Sequence, residues 1–176
     1  MRREVSTEPA ISAIEVLEST PSTLRALLGP LPEAAASETG PEGWSPGDVV
    51  AHLISVQQPA LVERIRLMVE NDEPAVPNID EDEALASSGL RGKPIGELLD
   101  RFESERRDAM AWVKGLAPER FARGGRHEVA GRITAADQLN HFAYHDLAHI
   151  RQIVSLLIPR LERSRGAMSD SFPDSG

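Results

Sequence analysis

The sequence predicts an all-α protein, a four-helix bundle, on three observations. Four long segments carry apolar residues at the three- and four-residue spacing of amphipathic helices. No stretch shows the alternation of a half-buried strand. Apolar residues make up 40 % of the 176-residue chain but aromatics only 4 %, so the core must be mostly Leu, Ile, Val and Ala, which favours packed helices. With no linker dividing it, the chain is most simply one domain large enough to bury a sizeable core. We expect a bundle over 11–160, a flexible start over 1–10 and a disordered tail over 161–176.

The first helical pattern runs from Ile11 to Leu28, with Ile14, Leu17, Leu24, Leu27 and Leu28 as its stripe, and Gly29-Pro30 ends it. Pro21 can divide it in two. Residues 31–43 read as a connection. The second helix has a strong start in Ser45 as N-cap, Pro46 at the first helical position and Asp48 closing a capping box. It should continue to about Asn71, burying Val49, Val50, Leu53, Ile54, Leu61, Ile65 and Met68, with His52 in its second turn. Pro59 frees the carbonyl of Ser55 and should kink it.

From Glu70 to Glu83 inclusive the chain has seven acidic residues, no basic ones and two prolines. This stretch reads as a solvated loop that adds negative charge and nothing else. The third helix spans Pro94 to Leu116, with Ile95, Leu98, Leu99, Phe102, Met110 and Val113 inward. Residues 119–132 contain Gly124, Gly125 and Gly131 and read as a loop carrying His127. Thr134 or a neighbour opens the last helix, and no Gly or Pro interrupts the chain from Ile133 to Ile158.

The formal charge of −9, with no basic run interleaved with aromatics, argues against nucleic acid or an anionic membrane surface as the partner. The first residues lack the apolar core of a signal peptide, and no run approaches the ~18 apolar residues of a membrane span, so a cytoplasmic protein is the expectation. The absence of cysteine removes thiolate ligands and cysteine nucleophiles, leaving His and carboxylates for any metal.

Three of the five histidines, His141, His145 and His149, recur at intervals of four on the last helix. Each step rises about 6 Å, so His141 and His149 lie roughly 12 Å apart along the axis and cannot share one ion. One metal can take His141 with His145, or His145 with His149, and a further ligand must come from another helix. His52 shares a face with Val49 and Val56 and is partly inward. A lone histidine there is more often a hydrogen-bonded core residue than a ligand. Joined with His145 and His149, however, it gives a three-histidine site with open coordination positions. His127 can approach a site at its end of the bundle. Asp48 and Asp146 read as a cap or surface charge before a general base, so no catalytic side chain is assigned.

The combination of Trp44-Ser45-Pro46, His52-Leu53, Gly131-Arg132-Ile133-Thr134 and His145-Asp146-Leu147-Ala148-His149-Ile150-Arg151-Gln152-Ile153 resembles the DinB/YfiT-like superfamily over roughly residues 11–160. The resemblance implies a bundle of up-down-down-up topology, a homodimer, and a divalent metal, zinc or nickel, held by His52, His145 and His149. Trp44, His141 and Gln152 are expected to border the pocket from their helical positions. Some relatives use low-molecular-weight thiols. The expected function is therefore a thiol-dependent S-transferase acting on small electrophiles, with a metal-dependent hydrolase and a non-catalytic, stress-associated metal-binding dimer as alternatives.

Overall fold

The structure, a computed structural model, describes residues 11–168. The expected flexible start over 1–10, and residues 169–176 of the expected tail, lie outside the described residues.

Helix α1 (Ala13–Leu28) begins at Ser12, whose hydroxyl accepts the Glu15 N–H at 3.3 Å. Pro21 lies inside it without dividing it. A proline at this position removes the donor that would bond the Leu17 carbonyl. That carbonyl instead accepts from Arg106 Nη1 at 3.1 Å. After the short α2 (Glu33–Ser37), α3 (Pro46–Val56) opens with the expected Ser45–Asp48 capping box. The kink expected at Pro59 takes the form of a π-helical turn, Gln57–Glu63, before α4 (Arg64–Glu70) resumes the same arm. A wider turn absorbs the proline without ending the helix. It also leaves the Ala60 carbonyl able to accept from Gln138 Nε2 at 2.8 Å.

The acidic stretch corrects the expectation of a featureless loop. Residues Ala75–Val76 form strand β1, and Asp80 caps α5 (Glu81–Ser87) by accepting the Glu83 N–H at 3.0 Å. Carboxylates in a first helical turn favour helix formation, so the acidic run nucleates structure. Helix α6 (Ile95–Lys114) has its first N–H held by Glu33 of α2, at 3.2 Å to each carboxylate oxygen. The Gly-rich segment is also not a plain loop. It contains a 3-10 turn, Pro118–Ala122, and strands β2 (Gly124–His127) and β3 (Gly131–Thr134). Strand β2 pairs in parallel with β1 and antiparallel with β3. The glycines are needed for close approach. A Cβ on Gly125 would stand 2.7 Å from the Pro74 carbonyl oxygen, and one on Gly124 2.5 Å from that of Ile133.

Helix α7 (Ala135–Glu162) starts with a second capping box, Thr134 with Asp137, and runs through Pro159 past the expected end of the bundle at residue 160. The bundle is formed by α1, the α3–α4 arm, α6 and α7. Helix α1 packs on α6 and α7, and so does the α3–α4 arm. One apolar cluster gathers Leu17, Ile65, Met68, Val113 and Phe142, and another Leu24, Leu53, Leu98, Phe102 and Ile153. Among the described residues no helix is long and apolar enough to cross a membrane.

Candidate metal centre

The second turn of α3 and the middle of α7 meet face to face. The α3 capping box and the unbroken α7 helix set where their side chains point. His52 Nε2 lies 3.2 Å from His145 Nε2, which lies 3.2 Å from His149 Nε2. One ring nitrogen from each of the three falls within 4.8 Å of the other two. His52 is buried, and His145 and His149 are half-buried. The structure thus brings together the three expected ligands from two elements.

The hydrogen bonds orient the rings. His149 Nδ1 meets Gln152 Oε1 at 2.7 Å; an amide oxygen only accepts, so Nδ1 carries the proton and Nε2 presents its lone pair to the cluster. His145 Nδ1 is buried with no partner, so packing against Phe142, at 5.3 Å between ring centroids, positions this ring. An imidazole nitrogen has one in-plane lone pair or one proton, so His145 Nε2 cannot make full hydrogen bonds to both neighbours. Three lone pairs converging on one cation would satisfy all of them, and the donor set suits a borderline divalent ion. Burial, then the nearby His149 and His145 rings, push His52 down to about 4. Burial likewise lowers His149. Both rings are therefore neutral and able to ligate near neutrality.

The residue missed in the sequence is Glu81. Its Oε2 lies 3.5 Å from His52 Nε2 and 3.9 Å from His145 Nε2. The neighbouring His145, with the charges of the three rings, holds this carboxyl below its usual range against the opposing effect of burial. At 3.9 Å the His145 contact is an electrostatic attraction more than a hydrogen bond. The signal was an N-cap pattern, Asp80 followed by three acids, which marks a helix start.

The other expected site residues divide. Trp44 stands edge-on to His52 at 5.8 Å between centroids, and with Gln152 lines a cavity of about 190 Å³. His141, one turn before His145, lines a different cavity with His127. Asp48 closes the α3 capping box by accepting the Ser45 N–H. Asp146 is neither a surface charge nor an available base, since it is fully buried and bound to Arg106.

A helical bundle with three histidines converging between its second and last long helices defines a candidate metalloprotein class. The chain belongs to the DinB superfamily, whose family profile matches residues 17–153. It is similar to the structure of YfiT from Bacillus subtilis, with 24 % identity and a TM-score of 0.74 over 91 % of this chain and 92 % of that one. YfiT is described as a probable metal-dependent hydrolase with an unusual four-helix bundle topology. No curated protein sequence matches the chain.

Proposed function

We propose that this protein is a divalent-metal-dependent hydrolase whose ion is held by His52, His145 and His149, with Glu81 as the general base. The position of Glu81 carries the reading. Its side chain is half-exposed on a short surface helix, against the buried His52 it faces, which suits a carboxylate that meets solvent and substrate. When bound, the ion supplies Lewis acidity. Gln152 holds His149, the packing of Phe142 holds His145, and Glu81, at the edge of the cluster, is placed to accept a proton from a water bound beside it. Water is a far weaker acid than a thiol and gains more from such a base, so Glu81 favours hydrolysis over the thiol-transferase reading. The description of YfiT points the same way.

The test is hydrolysis of an activated aryl ester by zinc- and nickel-loaded protein, with Glu81→Gln alongside. The expected result is retained metal with activity lower by roughly 10²–10⁴-fold, the range of general-base contributions. Loss of metal in Glu81→Gln would make this carboxylate a fourth ligand and the ion structural. Turnover of electrophiles only when a low-molecular-weight thiol is added would replace hydrolysis with thiol transfer.

The same reading includes the up-down-down-up order of helices. Its supports are contacts between opposite ends of α1 and α6 (Arg25 with Asp100, Lys114 with Glu18). Gly47 and Arg66 of the α3–α4 arm lie by Leu98 and Trp112 of α6 in the same sequence order, whereas His52 and Ala60 meet His145 and Gln138 of α7 in the reverse order. It also includes a homodimer. That is supported by exposed apolar residues on α7, Tyr144, Leu147, Val154, Ile158 and Leu161, whose spacings of three, seven, four and three place them along one stripe of the helix.

A further inference from the structure

We infer that the cavity bounded by Arg64, His127 and His141 is a subsite for an anionic group of the substrate, a carboxylate or a phosphate monoester. The inference rests on the metal reading above and names the substrate class that the centre would take.

Arg64 is 9 % exposed, yet no carboxylate among the described residues lies within 4 Å of its guanidinium. Its Nε and Nη2 both donate to the single Pro77 carbonyl, at 3.2 and 2.9 Å, and Nη1 has no protein partner. The carboxylates nearest to it, Glu81 and Glu128, attract it only from beyond ion-pair distance, so the guanidinium is left able to pair directly with an anionic ligand. Arg64 lines an open cavity of about 450 Å³, so such a ligand has room to enter.

A second donor faces the same space. His127 Nδ1 accepts the backbone N–H groups of Val129 and Ala130, each at 3.2 Å, so the ring proton must sit on Nε2. The β2–β3 turn thereby fixes His127 as a donor at the cavity wall. The one acid on that wall, Asp137, is engaged by the Thr134 N–H and hydroxyl at 2.9 and 2.7 Å. The cavity adjoins the candidate metal centre: His141 is one helical turn from His145, and the charge of Glu81 acts on both Arg64 and His141. A substrate anchored here by its anion would extend along α7 toward the three histidines.

The experiment titrates benzoate, phenyl phosphate and neutral benzamide into zinc-loaded full-length protein by calorimetry, for the parent chain, Arg64→Ala, Ala130→Glu and His145→Ala. Ala130→Glu puts a carboxylate on the exposed cavity wall without touching the bonds from Arg64 to Pro77, which guards against a folding defect in Arg64→Ala. One or both anions should bind where benzamide does not, and the two anions report which group the subsite prefers. Arg64→Ala and Ala130→Glu should each weaken that binding by about tenfold or more, as for loss of a charge-assisted hydrogen bond, with zinc content unchanged. Anion affinity untouched by both variants and lost only in His145→Ala would mean ligation to zinc alone and overturn the subsite, as would anions binding no better than benzamide. Zinc content, read separately on each sample, reports the metal reading independently.

Discussion

Arg106 and Asp146 face each other as a two-point ion pair at the centre of the bundle, Nη1 to Oδ2 at 2.5 Å and Nη2 to Oδ1 at 3.2 Å, with neither side chain more than 1 % exposed. Arg106 also donates through Nε to Gln57 Oε1 at 2.5 Å and packs over the Phe102 ring. One guanidinium thus joins α1, the π-helical turn, α6 and α7, and Asp146 is locked beside the candidate ligand His145.

Removing one partner strands a buried charge, at a cost of about 3–5 kcal/mol. We expect Asp146→Ala to lower the unfolding free energy by that order in urea titration. The double variant Arg106→Met with Asp146→Leu should lose less than either single change. A loss under about 1 kcal/mol for Asp146→Ala, typical of surface pairs, would contradict this role.

Gln152 acts on the site through His149. Replacing it with Ala removes the acceptor that fixes the Nδ1 tautomer and ring angle, and such supporting partners are typically worth 10–100-fold in metal affinity. Zinc affinity of Gln152→Ala, measured by competition with a chromophoric chelator, should fall within that range with one site retained. An unchanged affinity would remove Gln152 from the centre.

In the metal-free protein, stability should fall as pH drops from about 6.5 toward about 4. The folded state holds His52 near 4, while the unfolded chain protonates it at the ordinary value, so the unfolded state binds more protons across this interval. The lowered His149, and Glu81 with its lowered carboxyl, act in the same direction, His149 in this interval and Glu81 in and below the acid end of it. Thermal melting of chelator-treated protein checks it, and a flat or rising Tm toward acid would contradict the packing of the histidine cluster.

The apolar seam on α7 predicts that Leu147→Glu, alone or with Ile158→Glu, converts a dimer to a monomer in sedimentation without unfolding it. A parent chain that already sediments as a monomer would leave this face without the second copy proposed for it.

The long helices and the three histidines that converge were legible in the sequence because local rules agreed there: capping boxes at Ser45 and Thr134, apolar periodicity, and a resemblance that selected His149 over His141 as a candidate ligand. What was not legible depends on distant partners. Strands of two to four residues are too short to show alternation, and β1 meets β2 only after some fifty intervening residues. Glu81 lay in an acidic run whose solvated reading hid a helix cap. The role of Asp146 needed Arg106, forty positions away. Pro21 looked like a break because the donor that relieves it comes from another helix.

The most direct test of the central claim is metal content by elemental analysis, on protein purified without a histidine tag or chelator. About one zinc or nickel per chain is expected in the parent and in His141→Ala, and essentially none in His52→Ala, His145→Ala or His149→Ala. Equal loss in His141→Ala, or a parent chain that neither carries nor takes up a divalent ion, would contradict a metal centre at these three histidines.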